Sequence, residues 1–501
     1  VKEAPEPAPA PEEGRLSAAE ERFEALRRRA GLALGPAAFA LLLLFPPSAL
    51  PVPAARLLAV VAWVLAWWVT EAVPLPLTAV LGPALAVVLG VVPAREAFAP
   101  FGDPIIFLFL GSFLFARAMS VHGLDRRLAG AVLAIPAASS SPRRIVLTFA
   151  ALTAALSMWL SNSATTAMLY PIALGVLGTC AADGRRRTRL ERALLLVCAY
   201  GSSIGGIGTP VGSPPNLVTI GQLGALAGIR VGFVPWSLVA LPVMLAMLAV
   251  AVLVVGGRAG DEAWARPERP AEGTRAPMGA GERSVTAAFA LTVLCWIAPG
   301  LVALALGADH PLAAALGRAL PEGVVAVLGA SLLFVLPSGR GRFALTWEEA
   351  TRIDWGTLLL FGGGLSLGGA MFRTGLSDAV GGSLVAATGV STTIGLTVVF
   401  SVFAIFFTEV TSNTAAATML VPLAIASARA AGASPLEPAL GCGLGCSMAF
   451  MLPVATPPNA IVYGSGLVPI GTMARAGMLL NLAACVVIPA AVLLLAPLLV
   501  R

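Results

Sequence analysis

Two short polar runs interrupt otherwise apolar sequence, and they recur in the same order. The first is Ser161-Asn162-Ser163-Ala164-Thr165-Thr166, and the second is Ser412-Asn413-Thr414-Ala415-Ala416-Ala417. Each is followed by a further signal, Ser213-Pro214-Pro215-Asn216 in one case and Thr456-Pro457-Pro458-Asn459 in the other. Asn162 and Asn413 each offer an acceptor oxygen and two donors. The hydroxyls of Ser161, Ser163, Ser412 and Thr414 serve in either role. Such groups are costly in hydrocarbon unless they are buried in protein or line an aqueous cavity. Their duplication points to one solute site built from two related halves.

The proline signals say how the backbone contributes. The run Gly205-Gly206-Ile207-Gly208-Thr209-Pro210-Val211-Gly212-Ser213-Pro214-Pro215 cannot stay helical, because Pro removes donors and clashes with the preceding turn and Gly is a poor helix former. Pro453, Pro457 and Pro458 predict the same break in the second half. A broken helix frees carbonyls at one end, which suit Na⁺, and N–H groups at the other, which suit an anion. Neither motif region holds an acidic cluster, which argues against a cationic substrate. Neutral donors could hold carboxylates with no fixed Arg or Lys, and a substrate released every cycle gains from avoiding a desolvated ion pair. A Na⁺ beside each tip would supply positive charge only when loaded.

The elements that carry these residues are set by composition. Of 501 residues, 58% are hydrophobic and 12% charged, with a mean hydropathy of +0.89. Soluble domains carry about twice that charge, so the chain reads as an all-α polytopic membrane protein. Stretches near the ~20 residues needed to cross hydrocarbon predict eleven spans: 31–46, 55–72, 77–93, 104–121, 193–226, 233–255, 285–306, 323–337, 356–373, 437–468 and 474–499. The regions 144–180 and 392–431, each interrupted by a Ser-Asn tip, read as re-entrant hairpins. Residues 1–29 have no apolar core and read as a solvated cytoplasmic tail, with 15–29 as a short amphipathic surface helix.

Arginine placement orients the chain. With the N-terminus inside, the inner segments collect Arg27-Arg28-Arg29, Arg126-Arg127, Arg143-Arg144, Arg185-Arg186-Arg187, Arg258, Arg340, Arg342 and Arg352, while the outer ones keep isolated residues such as Arg56, Arg95 and Arg230. Arg117 and Arg475 fall within spans near the inner end. This positive-inside bias gives the first hairpin an inner mouth and the second an outer one. The repeat extends beyond the motifs: Gly123-Leu124 matches Gly375-Leu376 at an offset of 252, Ser161 matches Ser412 at 251, and Asn216 matches Asn459 at 243. Five spans separate equivalent points, so the repeats are inverted, an arrangement shared by many secondary transporters. The +6 net charge lies in loops and is no sign of nucleic-acid binding.

These residues closely resemble the divalent anion:sodium symporter family, which carries dicarboxylates, tricarboxylates and, in some members, sulfate. The marks are the two Ser-Asn-Ser/Thr tips, the two Pro-Pro-Asn breaks and Thr408-Glu409, and the likeness spans about residues 30 to 500. The resemblance implies an elevator-type homodimer in the inner (plasma) membrane. Its scaffold domain would comprise 30–134 and 285–390. Its transport domain would comprise 135–255 and 391–501, with 256–284 as a cytoplasmic linker. It further implies a first Na⁺ site at Ser157, Ser161, Asn162 and Gly212, and a second at Thr408, Thr411, Asn413 and Ala455. Substrate contacts would come from Asn162, Ser163, Ser213, Asn413, Thr414, Thr456 and Pro457. No other cofactor is implied. The cargo this resemblance implies is a C4-dicarboxylate carried with Na⁺. Exchange without net Na⁺ flux, or citrate or sulfate as cargo, are the alternatives. The first tip departs from the family's usual Ser-Asn-Thr, since Ser163 lacks a methyl group, and substrate preference is expected to turn on Ser163 against Thr414.

The remaining candidates are weaker. Glu409 reads as a carboxylate accepting hydrogen bonds near the second tip, with a cation-related role as the alternative. Glu71 reads as a helix-end residue, and His122 and His310 as interfacial. The six cysteines read as small core residues, although Cys442 and Cys446 could share a helix face. No HExxH, Gly-x-Ser-x-Gly or paired-Asp arrangement supports an intramembrane enzyme. A passive channel would not need two breaks and two hairpins converging on one site.

Overall fold

A computed structural model describes residues 18–133, 141–180, 188–257, 277–307, 309–339 and 341–499. Most of the tail 1–29, most of the linker 256–284 and the proposed domain boundary at 134/135 lie outside these residues. Among the described residues, each half of the chain contributes eleven α-helices, and they correspond one to one. The first half gives α1 Ala18–Leu44, α2 Val52–Thr70, α3 Leu75–Val88, α4 Ala94–Phe98, α5 Pro104–His122 and α6 Leu124–Leu133. It continues with α7 Pro142–Ser157, α8 Asn162–Cys180, α9 Thr188–Gly206, α10 Pro214–Gln222 and α11 Phe233–Gly256. The second half gives α12 Ala280–Leu306, α13 Pro311–Ala319, α14 Glu322–Leu332, α15 Trp347–Ala350, α16 Trp355–Thr374 and α17 Leu376–Thr388. It ends with α18 Thr393–Phe407, α19 Asn413–Ala430, α20 Leu436–Gly445, α21 Pro457–Gly464 and α22 Ile470–Leu495. A two-stranded ribbon pairs Pro337–Gly339 with Arg342–Phe343.

Among the described residues, six helices can cross a membrane by length and composition, or up to eight if each sharply bent helix pair counts as one span. The expected spans 193–226 and 437–468 are split into α9/α10 and α20/α21 at the glycine and proline runs, so neither half passes that test alone. Residues 18–29 do not form a separate surface helix. They continue without interruption into the stretch expected as the first span, forming α1. Sequence reading also assigned no element to α6 or α17, which start after Gly123 and Gly375. Both glycines hold φ near +70° (65° and 76°), a left-handed turn that ends one helix and redirects the next. After α17 the chain turns by 95° into α18.

The core of the molecule is α7–α11 packed with α18–α22. Within each half, small residues let two helices touch backbone to backbone. Gly201 and Gly205 on α9 face α7, where a Cβ on Gly205 would lie 2.4 Å from the Ala154 carbonyl oxygen. Gly441 and Gly445 on α20 face α18 in the same way, with Ser401 as the opposing residue. This small-x-x-x-small spacing is how helices associate where lipid tails remove the hydrophobic incentive. Across halves, the short helices are exchanged: α10 packs on α19 and α20, while α21 packs on α8 and α9. The outer helices carry large apolar side chains on their outward faces, such as Leu291, Leu294, Leu301 and Leu304 on α12 and Leu482 and Val486 on α22. That surface suits hydrocarbon and would be a liability in water.

Candidate functional site

Each Ser-Asn run sits where one helix ends and the next begins. α7 stops at Ser157, four residues turn, and α8 starts at Asn162; α18 stops at Phe407 and α19 starts at Asn413. In the first turn the Ser161 hydroxyl accepts from the Ala164 amide, capping α8. The tip asparagines are fixed by the same bond in both halves. Ser157 Oγ donates to Asn162 Oδ1 at 2.8 Å; Thr408 Oγ1 lies 2.7 Å from Asn413 Oδ1 and 2.9 Å from the Cys446 carbonyl, so its one proton is shared between two acceptors. The hydroxyl five residues upstream thus sets the amide orientation and leaves the asparagine's N–H groups for other partners.

The Pro-Pro-Asn signals do a different job. Asn216 Nδ2 donates to the carbonyls of Gly206 and Thr209, both at 2.8 Å. Asn459 Nδ2 donates to Ala449 and Leu452, at 3.2 and 3.0 Å. All three positions are offset by 243 between the halves, so this is one device used twice. The asparagine of the restarting helix clips the unwound segment before it, meeting the carbonyls that the break leaves unpaired.

Tip and break are then tied together, differently in each half. In the first, Thr209 Oγ1 donates to the Met158 carbonyl at 2.5 Å. In the second, the position equivalent to Met158 is Glu409. Its buried carboxylate accepts from three consecutive amides, Phe450, Met451 and Leu452, at 2.7 to 3.2 Å, and from Asn481 Nδ2 at 2.7 Å. These four donors account for Glu409 as the hydrogen-bonded carboxylate that its place before the second tip suggests.

Oxygen atoms converge where the first tip meets the first break. A methyl group on Gly212 would sit 2.6 Å from the Gly206 carbonyl oxygen, 2.8 Å from that of Ser157 and 2.9 Å from that of Met158. One on Gly206 would sit 2.4 Å from Asn162 Oδ1. Only glycine leaves this oxygen-lined space open. Among the sequence candidates, Ser157, Asn162 and Gly212 meet here. Ser161 stays at the rim, and Met158 and Gly206 were missed because they act through carbonyls that carry no residue-type signal. At the second tip Thr408 and Thr411 are buried, and Thr411 Oγ1 has no hydrogen-bond partner among the described residues. Ala455 occupies the place of Gly212, so this half already carries a methyl there.

One cavity of about 960 Å³ joins the two halves. Its wall includes Ser161, Asn162, Ser163, Gly212 and Ser213 from the first half, and Ser412, Asn413, Thr414, Ala455, Thr456 and Pro457 from the second. Every substrate contact expected from sequence therefore faces one space. Ser157, Thr408 and Thr411 lie behind that wall. Ser447, a residue sequence reading missed, lies 3.3 Å from Ser213, hydroxyl to hydroxyl, where the two unwound segments meet. Further from the tips, α5 lends a stripe to the wall: Phe109, Phe113, Ala116, Arg117 and Ser120.

A duplicated set of apolar helices, two of them broken beside paired helix–turn–helix tips that share a polar cavity, defines a multi-pass helical membrane protein of the transporter kind. The model of the sodium:sulfate symporter transmembrane region matches residues 28–500, and the chain belongs to that family, the divalent anion:sodium symporters. It is 33% identical over 486 residues to the sodium-dependent dicarboxylate transporter SdcS of Staphylococcus saprophyticus, covering 93% of this chain and 91% of that one. It is also 33% identical over 478 residues to SdcS of Staphylococcus aureus, covering 91% and 89%. Among solved structures, the YdaH transporter of Alcanivorax borkumensis shares the fold, with a TM-score of 0.55 at 15% identity over 88% of this chain and 98% of that one.

Proposed function

We propose that this protein is a Na⁺-coupled carrier of C4-dicarboxylates such as succinate, malate or fumarate. The observation that carries the reading is the adjacency of two kinds of site at one tip. Backbone and amide oxygens surround the open space at Gly212, and hydroxyls and amide donors of Asn162, Ser163, Ser213, Asn413, Thr414 and Thr456 face the cavity beside it. Oxygens without a counter-charge suit a monovalent hard cation, and neutral donors suit a carboxylate that must be released. The relatives named sodium-dependent dicarboxylate transporters point the same way.

In this reading Na⁺ is cargo. Ser157, Asn162 and Gly212, with the carbonyls of Met158 and Gly206, would hold one ion. Thr408, Thr411, Asn413 and Ala455 would hold a second, for which the unpartnered Thr411 hydroxyl is the supporting feature. Each tip asparagine faces both an ion and the anion, so loading one prepares the other. The interlocked packing of α7–α11 with α18–α22 supports a single transport domain moving against a scaffold, elevator-like, in a homodimer of the plasma membrane with a cytoplasmic N-terminus. In that frame the two halves are inverted repeats.

The test is uptake of labelled succinate into proteoliposomes with and without an inward Na⁺ gradient, with citrate, tartrate and sulfate as competitors. Saturable, gradient-driven uptake is expected. Counterflow that ignores Na⁺ would make the protein an exchanger, and large unsaturable currents would make it a channel.

A further inference from the structure

The cavity wall holds two arginines that the tip sites leave unused. Arg117 lies on the α5 stripe that begins at Phe109, and at 1.5 Å per residue it stands about 12 Å along the cavity from it. Its Nε is buried and has no hydrogen-bond partner among the described residues. A guanidinium group lodged in a span with an orphaned donor is costly and asks for an anion. Arg352 lines the same space from the turn before α16, and α15, just upstream of it, packs on α5.

The nearby acids offset this charge only in part, because each is engaged elsewhere. Glu71 is paired with Arg27 at 3.3 Å. Asp354 caps α16, accepting from the Thr357 amide and hydroxyl. Glu349 caps α15 through Thr346, although it stays within the field of Arg117. Glu348 meets Arg352 only at 4.0 Å, with both side chains largely exposed, a pairing of little strength.

We propose that Arg117 and Arg352 form a docking station for divalent organic anions at the cytoplasmic end of the cavity, where an anion rests on its way between the neutral donors of the tips and the inner solution. This rests on the anion-carrier reading above. The division of labour has a physical reason. Two guanidinium groups raise the local concentration of a dianion, as charged clefts with low-dielectric walls do. The tips, lacking fixed positive charge, still bind weakly enough to release. Arg352 is exposed and contributes mainly field. Arg117, half-buried and forked, can meet a carboxylate directly.

The experiment measures initial Na⁺-driven succinate uptake by the full chain in inside-out proteoliposomes, whose outer solution meets the cytoplasmic face, with Arg117→Gln, Arg117→Lys, Arg352→Gln and the double Gln variant. Choline chloride varies the ionic strength from about 20 mM to about 300 mM at fixed Na⁺, so that the Debye length falls from roughly 20 Å to below 6 Å. Arg117→Gln is expected to raise KM roughly 3- to 10-fold at low salt, with kcat within about twofold, and the double variant is expected to flatten the salt dependence of kcat/KM. At high salt the difference should shrink, and Arg117→Lys should restore most of the affinity. A merely structural role for Arg117 would lower kcat and thermal stability at both salts, without rescue by Lys, and would overturn the proposal. An unchanged KM for Arg117→Gln at low salt would overturn it too, while leaving the carrier reading intact. Wild-type protein that moves none of the tested anions would overturn both.

Discussion

Gly212 offers the sharpest test of the cation reading. Its φ is not in the left-handed region, so alanine is conformationally acceptable there. What alanine adds is a methyl group 2.6, 2.8 and 2.9 Å from three backbone oxygens, closer than the 3.0 Å below which real Cβ atoms essentially never come. All three oxygens belong to the main chain and cannot rotate away. They must be pushed apart, or the space they enclose is lost. Overpacking of this kind costs about 1–3 kcal/mol, and at 1.4 kcal/mol per factor of ten that is about a 5- to 150-fold loss of Na⁺ affinity. Gly212→Ala should therefore raise the Na⁺ concentration for half-maximal succinate uptake by at least about fivefold. It should also abolish or blunt the rise in melting temperature that Na⁺ produces relative to choline. Gly175→Ala is the control, since a Cβ there has nothing within 4 Å and alanine improves helix propensity. If Gly212→Ala folds, binds Na⁺ normally and transports normally, the oxygen-lined space at the first tip is not a cation site.

Three further outcomes follow from the same geometry. Asn162→Ala and Asn413→Ala each remove the tip amide that Ser157 or Thr408 orients, together with its N–H donors, and each should cut uptake at least about tenfold; full uptake by either would dissociate that tip from the site. Glu409→Gln turns an acceptor-only group toward three backbone donors with an amide that can satisfy fewer of them. It should cost about 3 kcal/mol of stability, read as a lower melting temperature with KM for succinate little changed, whereas a shift confined to Na⁺ affinity would assign Glu409 to the cation instead. Ser163→Thr restores one methyl group to the cavity wall. It should change the preference between succinate and citrate by roughly tenfold, the scale of one methylene in a fitted pocket. An unaltered competition profile would move substrate selection away from the first tip.

The asymmetry of the two halves runs deeper than Ser163 against Thr414. The first break is tied to its tip by a neutral hydroxyl, Thr209, and keeps an open glycine. The second is tied by a carboxylate, Glu409, and fills the equivalent place with Ala455. If both tips hold ions as proposed, the two sites differ in volume and in nearby charge, and unequal Na⁺ affinities are expected.

The membrane class, the duplicated tips, the two breaks and the family were all legible from the sequence, because each rests on local chemistry. Apolar run length, the missing amide of proline and the donor inventory of Ser and Asn act within a few residues. The one-to-one match of eleven helices per half was half legible. Its motifs repeat, but α6 is short and weakly apolar and α17, though apolar, has only 13 residues, so neither reached the length that marks a span. Three things were decided only by tertiary structure. Arg117 and Arg352 proved to share a cavity with the tips, although 235 positions separate them. Met158 and Gly206 joined the oxygen cluster through carbonyls, which every residue possesses and no motif announces. And α10 and α21 crossed into the opposite halves, which brings Ser213 to Ser447 and both tips to one space. Sequence specifies what each segment can offer. Which offers meet is settled by packing, since helices whose outer faces are uniformly apolar choose partners through small-residue contacts that form only between particular surfaces.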